Sequence, residues 1–157
     1  MNNDLQVVGF RIGRESFGVD ISAVHEIVRV PDITAVPEAP EYVEGVINLR
    51  GKIISVVDLR KRFGQPEIKA SKKNRVIVVE HESKPVGLIV DAASEVMRLP
   101  AEQIEPTPSV FEDAGLSYVT GLGKLKDRLI ILVDLKKVLQ KGELRLPDMQ
   151  MAAPTSI

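Results

Sequence analysis

The sequence predicts a mostly β protein built as two copies of one small barrel, and three observations carry that expectation. The first is a repeat. Gly18 to Pro31 (GVDISAVHEIVRVP) aligns with Gly87 to Pro100 (GLIVDAASEVMRLP) at an offset of 69, with five of fourteen positions identical. Gly45 to Lys61 (GVINLRGKIISVVDLRK) aligns with Gly121 to Lys137 (GLGKLKDRLIILVDLKK) at an offset of 76, with seven of seventeen identical. The second observation is alternation of apolar and polar residues with period 2, the signature of a half-buried strand. The third is the shortness of the strands, which are joined by turns and leave room only for brief helices. Barrels of this size are marginal alone, so two are expected to pack on a shared apolar core.

The elements follow in order. Phe10 and Ile12, then Phe17, Val19 and Ile21, alternate around the turn-prone Gly13-Arg14-Glu15-Ser16 and predict a hairpin. Arg75–Glu80 and Val86–Val90 repeat it around His81–Pro85. Val43–Leu49 and Lys52–Val57 form a second hairpin about Arg50-Gly51, where glycine supplies the positive φ of a tight turn. Its counterpart is Leu122–Leu125, Lys126-Asp127, Arg128–Val133. Asp58 and Asp134 each precede Leu and basic residues and read as N-caps of short helices, the first stopped by Gly64. Gln65–Asn74 is the polar linker between copies, Glu102–Asp113 is an acidic loop where the second copy is longer, and the chain from Gly142 onward has no repeat partner. The expected organisation is one domain over 1–141, with lobes over about 5–68 and 74–141, and a tail over 142–157.

Composition excludes whole classes of function. The 157 residues carry 21 Lys and Arg against 22 Asp and Glu, and 44% are hydrophobic, as in a folded chain without a basic face for nucleic acid. Cysteine is absent, which removes disulfides, Cys-ligated zinc, iron–sulfur clusters and a thiol nucleophile. Met1-Asn2-Asn3-Asp4 lacks the basic start of a signal peptide, and the longest apolar runs fall far short of the roughly 18 residues of a spanning helix. A soluble cytoplasmic protein without membrane insertion is expected.

Motifs for catalysis fail on inspection. Asp58 and Asp134 suggest a proton-sharing dyad, but each sits at a helix start. Gly45 to Gly51 has five residues between its glycines where a phosphate loop needs four, and Gly121-Leu122-Gly123 lacks the third glycine of a dinucleotide site. His25 follows Ser22-Ala23-Val24 in what reads as a helical turn, and its counterpart is Ser94, so a structural or surface role is expected. No enzyme, cofactor or metal is expected. A small nucleic-acid-binding barrel is the alternative, but base stacking needs exposed aromatics and Phe10 and Phe17 alternate as core residues do. The remaining features suit a protein-binding scaffold. Arg50 at its hairpin tip is placed to grip a partner's carboxylate or carbonyls; a solvated turn or an internal ion pair are the other readings of the same residue.

FGVDISAVHEIVRV, EYVEGVINLRGKIISVVDLRKRFG, PVGLIVDAASEVMRL and YVTGLGKLKDRLIILVDLKKVL together resemble the chemotaxis coupling proteins of the CheW family over nearly all of Leu5 to Lys141. The resemblance implies two five-stranded barrels of SH3/OB-like topology, with strand exchange across the repeat boundary. It implies an adaptor that joins the cytoplasmic tips of chemoreceptors to the regulatory domain of the histidine kinase CheA, at membrane-associated receptor arrays. Carried over by motif, the receptor-facing residues are Val24, Glu26 and Ile27 of AVHEI, Gly45, and Arg50 with Gly51 of NLRG. The outer ends of both barrels, around the second hairpins, would meet the kinase. Ser55 stands where many relatives have proline, which restores a backbone N–H to that strand.

Overall fold

The computed structural model describes residues 4–39, 43–63, 70–107, 109 and 118–140. The first hairpin pairs β1 (Leu5–Ile12) with β2 (Glu15–Asp20); a 3-10 turn over Ile21–Ala23 then leads into β3 (Val24–Arg29). The second hairpin is β4 (Val43–Leu49) with β5 (Lys52–Asp58), followed by a single helical turn, α1 (Leu59–Arg62). The second copy runs β6 (Arg75–His81), β7 (Lys84–Val90), β8 (Ala92–Leu99), β9 (Ile104–Glu105), β10 (Val119–Lys124), β11 (Leu129–Val133) and α2 (Leu135–Gln140). The hairpin turns are tighter than the sequence suggests. Ile12 pairs with Glu15 and His81 with Lys84, so two residues make each turn and Pro85 lies inside a strand. Gly64, Tyr42, Phe111 and the segment 142–157 lie outside the described residues.

The strands form a six-stranded sheet in the order β8-β1-β2-β11-β10-β9 and a five-stranded sheet in the order β3-β6-β7-β5-β4. The sixth strand, β9, is only two residues long. Each sheet thus combines the opening hairpin of one repeat with the later strands of the other, and neither coincides with the segment 5–68 or 74–141. The incoming hairpins attach through parallel seams. Ile131 and Leu132 face Phe17 and Gly18 on one side, and Ser55 to Asp58 face Val86 to Ile89 on the other.

Both sheets close into small barrels. β8 and β9 are successive in the chain yet lie at opposite ends of the strand order, so the strand wraps round to reach β10. In the five-stranded barrel the chain beyond β3 does the same, with Thr34 and Val46 exchanging two backbone hydrogen bonds of 2.9 Å. Ile47, Ile54, Val56, Val76, Val78 and Ile89 fill that barrel, while Val7, Leu99, Ile130 and Leu132 fill the other. A third and larger cluster lies between them. Strands buried on both faces feed two clusters at once: Val76 and Val78 point into the barrel, whereas Ile77 and Val79 point into the shared core. Four aromatic rings, Phe10, Phe17, Phe63 and Tyr118, stack through this core with centroids 5.5, 5.3 and 5.7 Å apart.

The duplication extends to the irregularities. Val24 faces Val79 and Glu26 faces Val78, so His25 is a bulge, and β8 carries an extra residue between its partners at Val96 and Ala93, where the counterpart Ser94 lies. Glu44 and Thr120, related by the offset of 76, are bulges on β4 and β10. The helical turn expected from sequence is present as the 3-10 turn over Ile21–Ala23, but it ends before His25, which lies on a bulged strand. The bulge explains the misreading. Residues three apart on a regular strand face opposite sides, yet the extra residue lets Val24 and Ile27 both pack on the shared core, which imitates helical spacing.

Candidate protein-docking surface

Arg50 and Gly51 turn the chain between β4 and β5 with φ of 52° and 88°, a type I′ turn whose twist matches the hairpin. Asn48 fixes it, its Oδ1 accepting from the Gly51 N–H at 2.8 Å. The turn carries Arg50 across the barrel mouth to β3, where its guanidinium pairs with the Glu26 carboxylate. Two of the expected site residues are thus in direct contact, joining opposite ends of the strand order. The Arg50 side chain remains 67% exposed and that of Glu26 33%, so the pair lies open to a partner. Of the three readings of Arg50, the structure shows the internal ion pair, made by a side chain that stays accessible to solvent.

The other expected residues are placed differently. Val24 and Ile27 lie on β3 with their side chains against the shared core, on the opposite face from Glu26. Gly45 is buried on β4 with φ of 144°, and a Cβ there would sit 2.1 Å from the Thr34 carbonyl oxygen. Its glycine is dictated by the approach of the strand that closes the barrel.

Between the barrels runs a cleft of about 440 Å³. Val7, Thr120 and Leu132 line it from the six-stranded barrel, His25 and Glu80 from the five-stranded one, and Lys136 from α2. His25 Nε2 lies 3.5 Å from the Glu80 carboxylate. None of the six expected site residues lines this cleft; the AVHEI motif reaches it only through Ala23 and the bulged His25. Sequence reasoning set His25 aside, and the only signal that marks it is the bulge, which is invisible without the partner strand.

A buried polar network sits at the crossing between the barrels and was not anticipated. Asp58, 1% exposed, caps α1 through the Arg60 N–H at 2.9 Å and takes the Arg60 guanidinium in two further bonds of 2.9 Å. Arg60 Nη1 also reaches Asn74 and Asp91, each at 3.4 Å, and Asp91 accepts the Gly13 N–H at 2.6 Å. Burial pulls the Arg60 guanidinium down, but its bonds and charge interactions with Asp58 and then Asp91 outweigh this and hold it above its ordinary value. Among the described residues the second copy shows no such cluster. Lys136 replaces Arg60, its side chain exposed, and only the cap from its N–H to Asp134 at 3.0 Å persists. Asp58 is thus sequestered by an arginine, and a carboxylate dyad with Asp134 has no accessible partner.

The aromatics bear on nucleic acid. Phe10, Phe17 and Tyr118 are 2%, 9% and 8% exposed, so these three rings belong to the core and are not platforms for base stacking. Among the described residues no helix is long and apolar enough to cross a membrane.

The sequence pattern of the CheW-like domain matches residues 6–143. The chain belongs to the CheW family. It is 40% identical over 139 residues to the chemotaxis protein CheW of Klebsiella aerogenes, covering 88% of this chain and 84% of that protein. To the CheW of Thermotoga maritima it is 34% identical over 138 residues, covering 88% and 89%. The crystal structure of the scaffolding protein TtCheW from Thermoanaerobacter tengcongensis superposes with a TM-score of 0.79 at 43% identity, covering 90% of this chain and 95% of that one. A CheW fold of two barrels on a common core is therefore the architecture on which the surfaces above are displayed, and a scaffold, rather than a nucleic-acid-binding barrel, is the family's type.

Proposed function

We propose that this CheW-family protein is a non-enzymatic adaptor that couples the cytoplasmic tips of chemoreceptors to the regulatory domain of the CheA kinase, working at the cytoplasmic face of receptor arrays. The observation that carries the reading is the kinship to a scaffolding protein over 90% of the chain. Its surfaces fit the role. Receptor contact falls to the exposed Glu26–Arg50 pair and the Gly51 turn, with Val24 and Ile27 setting the position of β3 and Gly45 that of β4. Kinase contact falls to the outer ends of the second hairpins, where the repeat-related Ile53 and Leu129 are 66% and 56% exposed. Apolar side chains at matched places on the two barrels offer two-sided docking, so modest contacts add by multivalency.

Reconstitution with receptor and CheA tests the reading: kinase activity is expected to become receptor-controlled on adding the chain, and activity that stays indifferent refutes it. Arg50→Glu is expected to weaken binding to receptor fragments on the order of tenfold or more, as removal of a paired interfacial charge costs about 2 kcal/mol or more. The swap Glu26→Arg with Arg50→Glu restores the internal pair. If the swap also restores receptor affinity, the pair acts through the fold and not by contact.

A further inference from the structure

Near the turn of the β1–β2 hairpin the six-stranded barrel opens on a cleft of about 160 Å³. Met97 and Ile130, which belong to that barrel's interior, line it with Gly9 and Ser16, and the exposed Arg11 and Arg128 border it. Among the described residues neither arginine has a side-chain partner and no carboxylate lines the cleft.

The other barrel serves as an internal control. The hairpin offset of 69 relates Gly9 to Val78, Arg11 to Glu80 and Ser16 to Pro85, and the offset of 76 relates Arg128 to Lys52. Val78 is 2% exposed and packs inside the five-stranded barrel with Ile54. Glu80 is engaged with His25. One copy therefore fills this position with a valine and sets one acid and one base at the corresponding places. The other leaves a glycine and sets two arginines there. An unfilled apolar recess beside two like charges forgoes packing and accumulates repulsion, both of which a bound anion with an apolar part would relieve.

We propose that this barrel mouth binds a small free carboxylate bearing a short apolar tail, the tail against Gly9, Met97 and Ile130 and the carboxylate between Arg11 and Arg128. Guanidinium groups match the planar carboxylate in two parallel bonds, and barrel mouths are recurrent ligand sites. A cleft of this volume suits a tail of a few carbons.

The test titrates the full-length, isotope-labelled protein with hexanoate, using acetate and 1-hexanol as matched probes, and follows the amide resonances of Gly9, Ala93 and Ile130. Saturable shifts are expected with hexanoate and at least tenfold weaker binding with either probe, since each lacks one of the two recognised parts. Gly9→Val, which copies the filled barrel, is expected to abolish binding, and Arg128→Gln to weaken it about tenfold through the loss of a charge-assisted bond. Equal binding of 1-hexanol would reduce the site to an apolar void, equal binding of acetate would reduce it to bare charge, and either overturns the proposal. So does unchanged affinity in the variants. If Gly9→Val fails to fold, the Arg11→Gln and Arg128→Gln double substitution decides alone, because both side chains are exposed and dispensable for packing.

Discussion

Arg50 occupies a left-handed conformation that an L side chain enters at a cost, although the glycine beside it does not. Arg50→Gly is therefore expected to hold or raise stability by up to about 1 kcal/mol, because the strain removed matches or exceeds an exposed ion pair worth about 0–1 kcal/mol. Chemical denaturation of the pure protein measures this, and a loss of more than about 1 kcal/mol would contradict it. Gly51→Ala meets no neighbour yet is expected to lose about 1 kcal/mol from φ alone. Gly45→Ala meets the Thr34 carbonyl and is expected to lose about 3 kcal/mol, combining strain with two broken backbone bonds. The Arg-Gly turn was legible in sequence because its chemistry is local. Gly45 was legible only as a motif letter, since the reason for it lies in a strand eleven residues upstream that returns to close the barrel.

Arg60 ties α1 to the crossing between β7 and β8, and the consequences belong to the elements it joins. Arg60→Met is expected to cost about 3–5 kcal/mol, because Asp58 is left charged and buried. Asp58→Asn combined with Arg60→Met keeps the helix cap, removes the charge and is expected to be the more stable of the two variants; the reverse order in thermal melts would show that the network is not held by its charge. Because the Arg60 value is raised, its contribution is complete below the guanidinium's own titration and is lost only as pH rises through it. The gap between wild type and Arg60→Met should therefore stay flat between about pH 7 and 10. Hairpins and caps were readable from alternation and from Asp-Leu-basic patterns. The network was not, since it joins Asp58, Asn74, Asp91 and Gly13 from four separate stretches whose meeting depends on the crossing. The bulge at His25 escaped for a related reason: a bulge is a relation between two strands, and one strand alone carries only a shifted phase.

At the scale of the molecule, three apolar clusters and two exchanged hairpins make the barrels mutually dependent. Urea unfolding followed at Tyr118 and at a probe in the five-stranded barrel is expected to give one coincident transition, and two separated midpoints would refute that dependence. The duplication was legible because both copies keep their glycines and apolar phases. Which hairpin joins which sheet was not legible from alternation, since β1–β2 and β6–β7 present equivalent edges and local pattern favours neither partner. That ambiguity has a consequence for how the chain is made. Every strand of the five-stranded barrel has been synthesised by Val90, whereas β2 waits for β11, which ends at Val133. At about 5–20 residues per second, the interval from Asp20 to Val133 is on the order of 6–23 s. The hairpin's other neighbour, β8, ends at Leu99 and can pair with β1, but for that time β2 keeps an unpaired apolar edge, so the ribosome delivers the protein with one barrel complete and the other dependent on the last strand to emerge.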